Sequence, residues 1–507
     1  MKKIIITTTV LIGLLFTSSC DNELVQSNPN SLTTEQYWKT ESDAQAGVNS
    51  IYAMSYKDGL WARWIYFRLD LTSDEGYSNS PWIELADWTR FNYINYNFWE
   101  GNVVTWRDTY KAIFRCNQVI ANVPNISFQN EDDKKKIIAQ AKFLRAMHYY
   151  YAAVLWENIP IVLEPSSPTD LPVQKNVTEV WAQIETDLNE AFIDLPPQWG
   201  ADQTGRPDKG AAKAFLAKTY MQQRKWPEAK LALEYLITGA GARYSLVSNY
   251  RDNFTDVNEN NSESVFEIQF GDQRKGGTGE GQSAAVSSNR AQFFAPRSIG
   301  WSDGQARMWI VDAFKEERNK DNDLDVRLRY TLFYPGLFAD FGDKTYNKNW
   351  EWGNEAWFRK GSRDYYRDNE DYFSQVNYRL IRYADILLRY AEVLNETGNT
   401  ADAYQYVDMV RARVNLEKLA IVHPEIGIDK AKFLERLKIE RVLELTGESV
   451  RWEDLKRWGD LNTQTSVDKI ALRDPDFNNF VVGKNHRLPI PQVEVENNPN
   501  LDQHLEY

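Results

Sequence analysis

The chain has 507 residues, of which 59 are Lys or Arg and 72 are Asp or Glu, so its formal net charge is −13. Such a surface repels phosphate groups, which argues against nucleic acid as a partner. Hydrophobic residues make up 42% and aromatic residues 13% of the chain, a composition that indicates a folded body. Cys20 and Cys116 are the only cysteines in the sequence, which excludes a disulfide framework and a cysteine-based zinc site.

The first twenty residues predict an export signal. Lys2 and Lys3 form a positive start, Ile4 to Phe16 form a mostly apolar stretch, and small residues precede Cys20. Thirteen residues are too few to span a bilayer. A cysteine directly after small residues is the lipoprotein pattern, in which the thiol is acylated and becomes the mature N-terminus. An ordinary secretory signal cut near Cys20 is the alternative.

We therefore predict four parts along the chain. They are a signal peptide over residues 1–19, a lipidated Cys20, a polar tether over residues 20–30 and one folded body over residues 31–507. Two or more acyl chains on Cys20 would hold the body on a membrane without a transmembrane helix.

Helical periodicity dominates both ends of the body. In residues 131–156, apolar and aromatic positions recur at steps of three and four, which predicts one helix face; they are Ile137, Ala141, Leu144, His148, Tyr151 and Leu155. Thr33 with Gln36, and Thr40 with Asp43, have the spacing of capping boxes that start helices.

Two segments repeat the same spacing of small and large residues. Each has an alanine, a large residue three positions on and an alanine nine positions further: Ala217, Tyr220 and Ala229, then Ala391, Leu394 and Ala403. Alanines at these positions let two helices pack closely, so the spacing predicts tetratricopeptide-type helical hairpins. A generic helical hairpin is the alternative.

The segments between the helical blocks differ in composition. Residues 271–300 are rich in Gly, Ser, Gln and Asn, and residues 333–370 mix Gly, Asp and aromatic residues without a helical period. Val265–Phe270 alternates as a short strand does. We predict a mainly α fold with long loop excursions and minor β hairpins, in which a helical-hairpin scaffold (31–260 and 378–460) carries a ligand-loop region (261–377 with 60–100) and a C-terminal segment (461–507).

Known catalytic motifs are missing from the sequence. It contains no phosphate-binding loop, no G-x-G-x-x-G and no G-x-S-x-G, and its four histidines lack metal-ligand spacing. We predict no catalytic residue, no cofactor and no metal site. With 72 carboxylates in the chain, a glycosidase pair is neither supported nor excluded by sequence.

The tryptophans are concentrated in two stretches. Residues 61–106 and 301–357 hold 11 of the 18, where an even distribution would place about 4. Several follow turn-rich or Gly/Ser-rich segments and lack an evident helix core to fill. We predict that five aromatic residues in loop context bind a ligand: Tyr77, Trp82, Trp88, Trp301 and Trp309.

Carbohydrate is the ligand class that such aromatic residues favour. A pyranose ring presents apolar C–H groups on its face and hydroxyls at its edge, so a flat side chain covers the face while amides and carboxylates bind the edge. Each stacked ring contributes about 1.5 kcal/mol. The alternative is that these tryptophans close the outer core of a large protein, which we prefer for Trp99 and Trp106.

The segment from Arg451 to Gly459 has its own helical pattern. Trp452, Leu455 and Trp458 recur at steps of three and predict a helix that docks on the core. We expect its charged residues to face mostly outward or to pair with neighbours such as Glu444 and Glu448.

These motifs together resemble one family, the SusD-like (SusD/RagB) outer-membrane lipoproteins of Bacteroidetes. The matching stretches are Ser18–Cys20, Tyr37–Ala44, Trp106 through Tyr110 to Asn117, Phe143–Ala146, Asn158–Val162, Gly205-Arg206 with Gly210–Ala212, Leu380–Leu388 with Ala391-Glu392, Glu440-Arg441, Glu444-Leu445, Arg451–Gly459, Leu488–Pro491 and Asn498–Leu501. They span nearly the whole mature chain. Thr17 and the ending Gln503–Tyr507 depart from the family pattern.

The resemblance implies a fold, a location and a partner. The fold is a helical body with several tetratricopeptide-type hairpins, anchored by acylated Cys20 on the cell outer membrane and facing the extracellular side. The partner is a SusC-like TonB-dependent transporter, to which the protein would pass captured oligo- or polysaccharide. Some relatives handle peptides, so a peptide- or protein-binding lid is the alternative function. The family carries no catalytic motif.

Overall fold

The computed structural model describes residues 37–93, 100–167, 169–271, 286–346 and 353–507. These residues are mainly helical. The helices are α1 (Glu41–Tyr52), α2 (Trp64–Leu71), α3 (Ile83–Thr89), α4 (Glu100–Asn122), α5 (Glu131–Trp156), α6 (Val177–Asp194), α7 (Lys209–Gln222), α8 (Trp226–Ile237), α9 (Arg290–Phe294), α10 (Trp309–Lys315), α11 (Val326–Thr331), α12 (Leu337–Phe341), α13 (Tyr383–Glu396), α14 (Thr400–Arg413), α15 (Leu419–Val422), α16 (Lys430–Leu445), α17 (Arg451–Trp458), α18 (Gln464–Ala471) and α19 (Gln492–Asn497).

The strands are short and form two-stranded antiparallel pairs. They are β1 (Gly76–Tyr77) with β5 (Gln305–Ala306), β2 (Ile159–Pro160) with β3 (Gln174–Lys175), β4 (Ser264–Ile268) with β8 (Tyr378–Arg382), and β6 (Leu332–Phe333) with β7 (Trp357–Phe358). β4 overlaps the predicted strand Val265–Phe270, but it starts one residue earlier and ends two residues earlier. No helix in the described ranges combines the length and the apolarity needed to cross a bilayer.

Helix starts follow the predicted capping chemistry where they can be compared. The Thr40 side chain accepts a hydrogen bond from the backbone of Asp43, and the Asp43 carboxylate accepts one from the backbone of Thr40, so the predicted capping box opens α1. Asn176 and Glu179 form a second box at α6. The predicted box of Thr33 and Gln36 lies outside the described residues.

The longest helix, α5, has the bounds that periodicity predicts. It begins after Asn130, whose side chain caps it, and the predicted face from Ile137 to Leu155 is buried. α5 packs between α4 and α6. Because this face is covered on both sides, α5 is the central helix of the N-terminal half.

The predicted helical hairpins are present as antiparallel pairs, α7 with α8 and α13 with α14. Ala217, Ala229, Ala391 and Ala403 are fully buried where the paired helices meet. α8 also packs against α13, so the two hairpins form one scaffold although about 150 residues separate them in sequence. The prediction of a helical-hairpin scaffold is confirmed.

Helix α17 docks on the core as predicted, but its charged residues do not behave as expected. Trp452 and Leu455 are fully buried. Arg451 is buried as well and pairs with Asp74 at 2.7 Å, and Arg457 pairs with Glu392. The expectation that these side chains face mostly outward is therefore wrong: both are buried and meet carboxylates of distant segments, and Arg457 also pairs with its neighbour Asp454 at 2.8 Å.

Candidate functional site

Strand pairing brings together two loops that are about 220 residues apart in sequence. β1 and β5 pair with Tyr77 opposite Gln305. Beyond this pair, the Ser78 hydroxyl donates to the carbonyl oxygen of Asp303 at 2.6 Å, and the Ser80 hydroxyl donates to the Asp303 carboxylate. These bonds join the loop that carries Trp82 to the loop that carries Trp301.

The loop around Trp301 folds back on helix α9. The backbone N–H of Trp301 donates to the carbonyl of Gln292, and that of Asp303 donates to the carbonyl of Phe293, both at 2.8 Å. The Trp301 ring then meets the Phe293 ring edge-on, with centroids 4.8 Å apart. Trp301 remains 49% exposed, so about half of its surface is accessible to a ligand.

The rings of Trp82 and Trp301 both pack on Phe293. Phe293 is buried and lies 6.4 Å from Trp82 and 4.8 Å from Trp301, measured between ring centroids. Tyr372 extends the group at 5.7 Å from Trp301. We call Trp82, Phe293, Trp301 and Tyr372 the aromatic platform.

Arg63 supports the aromatic platform from below. Its guanidinium carbon lies 5.7 Å from the Trp82 centroid and 5.9 Å from the Phe293 centroid, within the range of cation–π attraction. The guanidinium is buried and paired with Asp58 at 2.9 Å and Glu100 at 3.3 Å. The two carboxylates therefore fix the position of the Arg63 guanidinium, which in turn stabilises the rings of Trp82 and Phe293.

The structure does not place Tyr77 and Trp309 in the aromatic platform. The Tyr77 ring lies 4.4 Å from the Arg307 guanidinium, which is paired with Asp474 at 2.6 Å. The Trp309 indole N–H donates to the carbonyl of Asp74 at 2.6 Å, and Arg473 covers its ring at 4.8 Å. Both rings are half-buried and held by arginines, so their contacts are those of supporting residues beside β1 and β5.

The expectation that Trp88 displays its ring outward is wrong. Its side chain is 1% exposed and meets the Trp64 ring edge-on at 5.3 Å. The reason is local: residues 83–89 form helix α3, which turns Leu85 and Trp88 inward and leaves Ile83 outside. The step of three from Leu85 to Trp88 is the sequence signal that could have shown this.

Burial shapes the electrostatics next to the platform. Burial raises the pKa of Glu84 to about 8, although the backbone N–H of Gly101 donates to this carboxyl group at 2.6 Å.

In the described part of the chain, no group of three or more His, Cys, Asp or Glu side chains is arranged to hold a metal ion.

Sequence reasoning missed three members of this site. Phe293 and Tyr372 lie in stretches without a clear period, and Arg63 is hidden beneath the rings. The Arg63-Trp64 dipeptide is a weak sequence signal, because adjacency in sequence does not show which distant rings the arginine contacts. Only the approach of residues 63, 82, 293 and 372 reveals their shared role.

The structure is a helical-hairpin scaffold that carries the aromatic platform on two joined loops. A family model described as "SusD family" matches residues 262–507, and one described as "Starch-binding associating with outer membrane" matches residues 25–221. The chain belongs to the SusD-like family, as its motifs indicated.

Relatives of similar length confirm this membership. SusD-like protein P2 of Formosa agariphila is 28% identical, with 99% of each chain covered. A SusD superfamily protein from Bacteroides vulgatus has a similar structure, with a TM-score of 0.81, 25% identity and coverage of 93% of this chain and all of that one. A laminarin-binding SusD-like protein has a TM-score of 0.75 and 27% identity over 93% of this chain and all of its own.

Proposed function

We propose that this chain is a glycan-binding lipoprotein of the outer cell surface, which captures oligo- or polysaccharide on the aromatic platform and passes it to a SusC-like TonB-dependent transporter. The observation that carries the proposal is that the half-exposed Trp301 and the partly buried Trp82 both pack on Phe293, in loops held together by hydrogen bonds. The flat rings of the two indoles can cover the apolar face of a sugar chain. Because their loops are held in place, the indoles lose little conformational freedom on binding.

Several features support a sugar over other ligands. Polar residues lie on both loops next to the platform: Asn79 is exposed, and Ser80 is partly exposed and bonded to the buried Asp303. Amides, hydroxyls and carboxylates can bind the hydroxyls at the edge of a pyranose. The laminarin-binding relative has the same fold and is 27% identical to this chain, which makes a β-glucan the first ligand to test.

Removal of the platform indoles is expected to weaken glycan binding. Trp82→Ala and Trp301→Ala should each lower affinity about tenfold, since each stacked ring contributes about 1.5 kcal/mol. Calorimetry and affinity gels with laminarin and a panel of other neutral polysaccharides measure the effect. Phe338→Ala, which removes an exposed ring on α12, should leave the affinity unchanged.

Two outcomes would contradict this assignment. Equal binding by Trp301→Ala and the unchanged protein would move the site away from the platform. Retention of peptides with no binding to any polysaccharide in the panel would favour the peptide-binding lid instead.

Membrane attachment through Cys20 is a separate part of the proposal. Cys20 lies outside the described residues, and its support is the lipoprotein pattern and the family membership. Cys20→Ala should release the protein from the membrane fraction into the soluble fraction, because the acyl chains supply the binding energy. Cell fractionation with immunodetection tests this, and continued membrane retention of the variant would count against the anchor.

A further inference from the structure

A second cleft lies away from the aromatic platform, where helix α5 ends beside the turn between α7 and α8. Its volume is about 440 Å³, within the range of small-molecule sites. Ionisable side chains from four segments line it, and we call this group the basic cleft: Glu157, Arg224, Lys456 and His486. None of them belongs to the platform or its support.

Two residues of the basic cleft have strained backbones. Glu157 has φ 66° and ψ −82° at the end of α5, and Arg224 has φ 57° in the turn before α8. Residues other than glycine are uncommon at positive φ, and such strain concentrates at functional sites. Glycine would fit both positions more easily, yet both hold charged residues whose side chains line the same cleft.

The charges in the basic cleft do not balance. Glu157 is the one carboxylate in its described lining, and it meets Lys456 at 3.0 Å and His486 at 3.4 Å. Burial raises the pKa of Glu157, but Lys456 and His486 outweigh burial and hold this pKa well below its usual range. Glu157 therefore stays charged, and its carboxylate is already paired with Lys456 and His486.

Arg224 is the cation without a counter-charge. Its guanidinium donates to the carbonyl of Trp458 at 3.1 Å and more weakly to that of Arg457. The side chain is exposed, and within the described ranges its hydrogen-bond partners are these carbonyls at the end of α17, with no carboxylate in salt-bridge contact. In a chain of net charge −13, a cleft with an unbalanced guanidinium is suited to an anion.

Neutral groups in the same cleft indicate what carries the anion. Trp181 forms part of the wall with 8% of its surface exposed, and Gln222, Gln223 and the exposed Asn462 contribute amides. An indole with several amides suits a sugar ring and its hydroxyls. A guanidinium beside them suits a carboxylate, which it binds with two parallel hydrogen bonds.

We propose that the basic cleft binds an acidic oligosaccharide, with the carboxylate of a uronic acid residue on Arg224 and its ring beside Trp181. This site is separate from the aromatic platform, so it does not depend on the function proposed for the platform. It would let the same protein hold acidic glycans that the platform does not select.

Digalacturonate is the probe, with cellobiose as the uncharged control of equal length. Calorimetry at low ionic strength should detect digalacturonate and not cellobiose, and added salt should weaken the binding. Arg224→Gln should lower the affinity about tenfold, because a hydrogen bond to a charged group is lost. Arg224→Lys should retain part of the affinity, and Lys432→Gln on α16 should have no effect.

A second variant covers the case in which Arg224→Gln disturbs the fold. Asn462 is exposed and adjacent to Arg224, since the two side chains approach the same point above Gly459. Asn462→Asp adds a carboxylate there and should also lower the affinity about tenfold, with the unfolding midpoint unchanged. Trp301→Ala should leave digalacturonate binding as it is.

The proposal would be overturned by no binding of digalacturonate, by equal binding of cellobiose, or by unchanged affinity in Arg224→Gln or Asn462→Asp. A triglutamate peptide that binds more tightly than digalacturonate would also overturn it, in favour of an acidic protein segment. Loss of digalacturonate binding in Trp301→Ala would assign the binding to the platform instead.

Discussion

Trp88→Ala is expected to lower the free energy of unfolding by about 3–5 kcal/mol, the usual cost of removing a buried aromatic side chain. The Trp88 ring is enclosed between Trp64 and helix α4. It lies so close to Gly101 that a Cβ atom on that residue would be 2.6 Å from the ring. The surroundings are therefore shaped to this ring, and they cannot collapse fully into the space it leaves.

Trp301→Ala is the matched control for this experiment. It removes the same side chain from a half-exposed position, so the unfolding midpoint in denaturant should change little. The two variants should separate the roles: Trp88→Ala loses stability, and Trp301→Ala loses glycan affinity. A Trp88→Ala variant with unchanged stability would contradict the burial of this ring.

Glu444→Gln is expected to cost about 3–5 kcal/mol of stability at neutral pH, because it breaks a buried ionic network. The Glu444 carboxylate on α16 is fully buried and pairs with Arg382, Arg413 and Arg327, the last at 3.0 Å. Glutamine keeps the size but removes the charge. The arginines then remain buried with too few carboxylates.

The pH dependence of this loss follows from the pKa of Glu444. Burial raises this pKa, but Arg413, Arg382 and Arg327 outweigh burial and hold it well below its usual range. A lowered folded-state pKa contributes stability above the unfolded-state value of about 4.3 and loses it as pH falls toward the folded-state value. The difference between Glu444→Gln and the unchanged protein should therefore be constant from about pH 8 to pH 5 and shrink below about pH 4.

Denaturant unfolding at several pH values measures this difference. Glu435→Gln on the same helix is the control, because Glu435 is 73% exposed and paired only at the surface with Lys438. Its effect should stay within about 0.5 kcal/mol. A Glu444→Gln cost as small as that of Glu435→Gln would show that the network contributes little.

The helices and hairpins could be predicted because their signals are local. A face such as Ile137 to Leu155 repeats every three to four residues, and the buried face of a helix is set by that repeat. The alanines at 217, 229, 391 and 403 likewise marked close helix contacts before any partner was known. The order of motifs along the chain was sufficient to place it in the SusD-like family.

The candidate site could be predicted only in part. Loop context directed attention to Trp82 and Trp301, which both pack on Phe293. The same reasoning failed for Trp88, because a short helix of seven residues gives little periodicity to recognise. Tyr77 and Trp309 lie near the joined loops, where arginines pack on their rings.

Sequence alone was enough for the helical scaffold, the paired hairpins and the family, since these rest on spacings within a few turns of one helix. Folding was needed to bring Arg63 under the platform and to surround Glu444 with three arginines. It was also needed to leave Arg224 without a counter-charge. These arrangements depend on contacts between segments far apart in the chain, and a charge acts through space on whichever groups the fold brings within a few ångströms.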